Sequence, residues 1–113
     1  MRAPVPDRRL VLEAPVPVAD GAGGWVPGWQ ARAVVWAALR PGVGRGRSGA
    51  EAVALGVTTW RLVLRAMPAG HPARPRPGQR LREGARVWMI RAVAEADGRG
   101  AWLTCFAEEE VPA

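Results

Sequence analysis

The sequence predicts a mostly β protein: a small antiparallel β-barrel or sandwich with one short helix and long loops. Three observations carry that prediction. Apolar and polar residues alternate over several short segments, the two-residue period of a half-buried strand. Stretches rich in glycine and proline punctuate those segments at short intervals. With 113 residues, 49% of them hydrophobic, the chain is long enough for one core.

Residues 1–8 are expected to form a flexible arm, because Pro4 and Pro6 block regular pairing. From Arg9 to Ala14, Leu10, Leu12 and Ala14 alternate with Arg9, Val11 and Glu13, which predicts a first strand. Pro15 and Pro17 cannot donate to a ladder, so this strand ends there or lies at a sheet edge. Asp20-Gly21-Ala22-Gly23-Gly24 is a turn-rich connection. A second strand runs from near Trp29 to Leu39, and its nearly continuous apolar character predicts cover on both faces. A buried helix competes for so alanine-rich a run; Val34, Val35 and Trp36 favour the strand.

Ser48-Gly49-Ala50-Glu51 has the spacing of a capping box, which predicts a short helix over Ala50 to Leu55, ended by Gly56. Thr58 to Met67 is the cleanest strand, with Trp60, Leu62, Leu64 and Ala66 alternating against Thr59, Arg61, Val63 and Arg65. Pro68 to Gly78 holds four prolines and two glycines and reads as a stiff surface excursion. Two strands, Arg86 to Ala94 and Ala101 to Ala107, close the chain around the hairpin signal Asp97-Gly98. One domain over 9–108 follows, with 109–113 as a tail, and the terminal run Glu108 to Glu110 reads as a solvated tail end. Trp60, Leu62, Leu64, Ile90 and Leu103 are the expected core, and most of the six tryptophans are expected to fill it.

Chemistry is sparse. His71 is the one histidine and Cys105 the one cysteine, too few for a metal site and poorly placed for a nucleophile–base pair. The apolar neighbours of Cys105 predict an inert buried thiol. No membrane span or signal peptide is expected, which makes a cytoplasmic origin the default. All sixteen basic residues are arginine, and the net charge of +6 draws the chain toward anions.

The stretch Arg40-Pro-Gly-Val-Gly-Arg-Gly-Arg-Ser-Gly49 raises the one question of a phosphate site, because residues 44–49 satisfy G-x-G-x-x-G. A dinucleotide fold also needs a parallel βαβ unit and an acidic ribose ligand about twenty residues on, and the region around Leu62 to Leu64 has no acid. A Walker loop needs a lysine that this chain lacks. No cofactor and no enzymatic activity are therefore expected. A flexible basic loop remains.

The order of residues resembles the head–tail joining proteins of long-tailed bacteriophages. The resemblance rests on a first strand ending in proline, then Gly23-Gly24, Trp29, Val35-Trp36-Ala37 and Thr58-Thr59-Trp60-Arg61-Leu62-Val63-Leu64-Arg65. It continues through Arg86-Val87-Trp88-Met89-Ile90-Arg91-Ala92-Val93 and Asp97-Gly98-Arg99 to Leu103, covering Leu10 to Glu108. Where that family often has arginine before the first-strand proline, this chain has Ala14.

The resemblance implies a small β-barrel in a homo-oligomeric ring of about six or twelve subunits. It implies a stopper or adaptor at the head–tail neck of a phage or gene transfer agent, closing the DNA-filled head. Its partners would be a portal or adaptor ring, a tail-terminator protein and, non-specifically, packaged double-stranded DNA, with no membrane. Arg45, Gly46 and Arg47 would then form a loop facing the channel or the next ring. Trp25, Trp29, Arg74 and Arg76 are the candidate interface residues. The alternative reading, from charge and tryptophans alone, is a small basic β-barrel module that binds nucleic acid or protein.

Overall fold

A computed structural model describes residues 3–42 and 57–110. The expected helix at Ala50 to Leu55 and the Arg45-Gly46-Arg47 loop lie outside the described residues. Six antiparallel strands form one closed barrel: β1 (Arg8–Ala19), β2 (Trp25–Pro41), β3 (Val57–Arg65), β4 (Arg80–Glu83), β5 (Arg86–Glu95) and β6 (Trp102–Glu110). Around the wall their order is β1-β2-β3-β6-β5-β4, and β4 closes the ring on β1 through Val11↔Arg82, Leu12↔Leu81 and Glu13↔Arg80. Closure leaves the barrel proper without a free edge.

Alternation places one face of each strand inside. Leu10, Leu12, Val35, Ala37, Leu62, Leu64, Leu81, Trp88, Ile90, Leu103, Cys105 and Ala107 form the core. Four of the five expected core residues, Leu62, Leu64, Ile90 and Leu103, are fully buried there. Trp60 is only half-buried, because it stands where the core meets the barrel end. The expectation for the tryptophans also needs correction: only Trp88 is fully buried, while Trp25 and Trp36 are 69% and 53% exposed.

The first two strands are longer than their sequence pattern suggests. Pro15 and Pro17 do not end β1; they lie along an edge, opposite Trp29 and Pro27. Pro17 and Pro27 both lack an N–H, so their pair stands at a non-hydrogen-bonded position. Alternation then leaves the ladder bonds to the Val16–Gly28 and Val18–Val26 pairs. The alanine-rich run is a strand rather than a helix. Between Leu12 and Glu13 the register shifts, with Arg32 the extra residue on β2.

β4 is absent from the sequence reading. Its four residues, Arg-Leu-Arg-Glu, carry three charges and a single apolar side chain, too little for a period to register. Leu81 nevertheless points inward and is fully buried. The last strand runs past the expected end at Ala107, so Glu108, Glu109 and Glu110 are strand residues rather than a solvated tail.

The segment Pro68 to Gly78 is built of turns, as expected, but is more than a surface excursion. Pro75 is fully buried, and Met67 and Ala73 pack on the core. Arg74 Nη1 donates to the Met67 carbonyl at 2.7 Å, and His71 Nδ1 accepts from the Ala73 amide at 3.0 Å. Two backbone bonds, Gly78 to the Ile90 carbonyl and Ile90 to the Gln79 carbonyl, fasten its far end to β5.

Candidate assembly surfaces

Three features stand out on this barrel: a projecting ribbon, a charge-sealed mouth and an apolar groove. The ribbon is the part of the β1–β2 hairpin beyond the wall. β1 meets β4 only up to Glu13, and β2 meets β3 only from Ala37 onward. The pairs from Ala14↔Gln30 to Ala19↔Trp25 therefore have each other and no further strand. Between Ala14 and Gln30 the one charged residue is Asp20, at the turn. Its carboxylate accepts from the amides of Ala22 and Gly24 at 2.8 and 2.9 Å, and these bonds hold its pKa below the usual aspartate value.

A buried carboxylate fixes the root of the ribbon. Glu13 accepts from Arg80 Nε at 2.7 Å and from Arg82 Nε at 3.1 Å. Burial pushes its pKa up, but the hydrogen bonds and charges of the two arginines outweigh that and hold it below the usual glutamate range. Trp29 lies over the Arg80 guanidinium, 4.2 Å from it to the ring centre. The expected interface residue Trp29 is thus part of this brace, whereas Trp25 stands free near the tip.

The mouth is at the opposite end of the barrel. Arg8 bonds Glu83 through Nε at 2.8 Å and also through Nη2. Arg86 grips Glu109 with two bonds, at 2.7 and 2.9 Å, and its guanidinium lies over Trp88 at 4.6 Å and Trp60 at 5.5 Å. The hydrogen bond from Arg8 holds Glu83 low, and that from Arg86 does the same for Glu109. Residues 42 and 57, which flank the glycine-rich segment, stand at this end.

The groove opens where β2 parts from β3. Pro6, Val34, Trp36, Leu64, Met67 and Ala73 line it with Val35 and Arg65, and its volume is about 500 Å³. Of the other expected interface residues, Arg74 is half-buried and ties the proline-rich segment together, while Arg76 is exposed. Cys105 is buried, and burial pushes its thiol up to about 12. Sequence reading missed Glu13, Glu109 and their arginines. The available signal was the inside-out alternation Arg80-Leu81-Arg82-Glu83 followed by a glycine turn.

Solved structures are similar to this chain. One is a chain of the virion of a native gene transfer agent particle, 48% identical, with 98% of this chain and 100% of that one covered and a TM-score of 0.73. Barrel and likeness together define a structural virion component. More particularly, the chain belongs to the phage head completion protein family, which matches residues 1–110. The protein SF1141 from Shigella flexneri 2a, in a solution structure, shares the fold at 18% identity, with 93% of each chain covered and a TM-score of 0.59. No curated protein matches.

Proposed function

We propose that the chain assembles as a ring at the head–tail neck of a phage-like particle, closes the DNA-filled head and joins it to the tail. The observation that carries this reading is the two-ended build. The apolar ribbon leaves one end of the barrel, while Arg86 and Glu109 close the other, where residues 42 and 57 also stand. A subunit that joins two different bodies needs distinct surfaces at its two ends, set on a rigid wall. Family membership and the particle relative support a structural role in such a particle.

Arg45 and Arg47 are the groups we assign to the channel or the adjoining ring. Repeated around a ring, one pair per subunit becomes a basic belt toward DNA phosphates, with salt-sensitive contacts that carry no sequence information.

The test is a particle assay. Deleting the gene should give filled heads that lose DNA or fail to join tails, and labelled antibody should mark the neck of wild-type particles. Arg45→Gln with Arg47→Gln should leave the melting temperature unchanged while lowering the yield of full, tailed particles. Normal tailed particles after deletion would overturn the connector role. A normal yield from the double variant would overturn the role of the loop alone.

A further inference from the structure

Among the described residues, the large apolar side chains left exposed are Val5, Val18, Trp25, Val26, Val34, Trp36 and Phe106. All but Val5 and Phe106 fall on two places, the ribbon and the groove. One place projects and the other is concave. We propose that they are the two halves of one contact: the ribbon of one copy of this chain seats in the groove of the next. The inference rests on the ring reading and names the surface that builds the ring.

Contact within one molecule is ruled out by geometry. Trp25 and Trp36 lie eleven residues apart on the single strand β2, so they are roughly 35 Å apart at about 3.3 Å per residue. A paired two-stranded ribbon cannot fold back over that distance. Strand addition at the ribbon is opposed as well, since Pro15, Pro17 and Pro27 remove donors from its edges. Side-chain docking is what remains for the exposed Trp25, Val18 and Val26.

Charge selects the same partner. Asp20 is the one charged residue of the ribbon, and its hydrogen bonds keep it ionised. The groove is bordered by cations: Arg65 lines it, and Arg9 stands opposite Trp36 in the β1–β2 pair. Both arginines are exposed. A second copy therefore covers both apolar places and brings opposite charges together in one contact. Because the two patches differ, the contact is head-to-tail, and head-to-tail contacts close into rings when the rotation between subunits allows.

Val26→Cys on the ribbon and Val34→Cys in the groove test this with a short bismaleimide linker. Both positions are about half exposed, so neither change disturbs the core, and buried Cys105 does not compete for the reagent. Purified particles and the concentrated pure chain are treated in parallel. The chain carrying both cysteines should give a ladder of linked copies, and each single variant should give none. Adding Asp20→Arg should abolish the ladder, and Arg65→Asp in the same chain should restore it. Dimers from Val26→Cys alone would mean that ribbons meet ribbons and would overturn the proposal. So would particles that contain the chain yet give no ladder. If the chain is missing from particles, the connector reading falls, and the pure chain alone then decides the docking: a ladder upholds it, none overturns it.

Discussion

Glu13 on β1 and Arg80 on β4 face each other across the seam that closes the barrel, 2.7 Å apart, with the Trp29 ring stacked on the same guanidinium. The pair links two jobs. It locks the short fourth strand to the first, and it stiffens the root of the ribbon where the wall gives way to two strands. Arg82 adds a second hydrogen bond to the same carboxylate.

Removing the charge at this seam should therefore loosen both. Glu13→Gln should cost about 1–3 kcal/mol, the range for leaving charged groups short of a partner in a buried place. Urea unfolding measures the loss.

Acid should act on the same groups. Glu13, Glu83 and Glu109 all have pKa values below the ordinary 4.5, so each contributes stability that is full above 4.5 and is lost as pH falls through the folded value. The melting temperature should be flat from neutral pH down to about 5 and fall steeply below 4.5. In Glu109→Gln the acid limb should be shallower, since one of the titrating groups is gone.

Gly42 leaves no room for a side chain. A Cβ there would meet the backbone of Thr59 at 2.9 Å, and its own amide donates to the Thr59 carbonyl at 3.0 Å. Gly42→Ala should destabilise by about 1–3 kcal/mol, the usual range for overpacking against atoms that cannot move aside. Thermal melts of the two proteins compare directly.

Inside and outside positions should separate cleanly. Ile90→Ala removes a fully buried side chain and should cost about 2–5 kcal/mol. Trp36→Ala, on the outer face, should stay within about 0.5 kcal/mol in the isolated subunit. The ring contact, not the fold, is where Trp36 should matter.

Cys105 reports on opening of the barrel. Its thiol is buried and pushed up to about 12, so alkylation at neutral pH should be slow in the native protein and fast in urea. Rapid labelling of the native chain would contradict the placement of β6.

Much of this was legible in the residues themselves. The alternation of Leu62 and Leu64 against Arg61 and Val63 fixes a strand and its inner face, because side chains switch sides at every residue. Asp97-Gly98 marks the connection of the last two strands, and Gly98 does adopt positive φ. The buried Cys105 follows from its neighbours. What escaped was set by partners distant in sequence. Arg80-Leu81-Arg82-Glu83 becomes a strand because Glu13, 67 residues from Arg80, offers a carboxylate across the gap and the core has a place for Leu81. Pro15 and Pro17 read as an ending or an edge, and the edge is what they take, because their missing donors fall at non-bonded positions opposite Trp29 and Pro27. The six tryptophans look alike in the sequence. Only the curvature and closure of the barrel send Trp88 inward, leave Trp60 at the mouth and turn Trp25 and Trp36 outward, since local pattern sets which face a residue takes and the tertiary fold sets what that face meets.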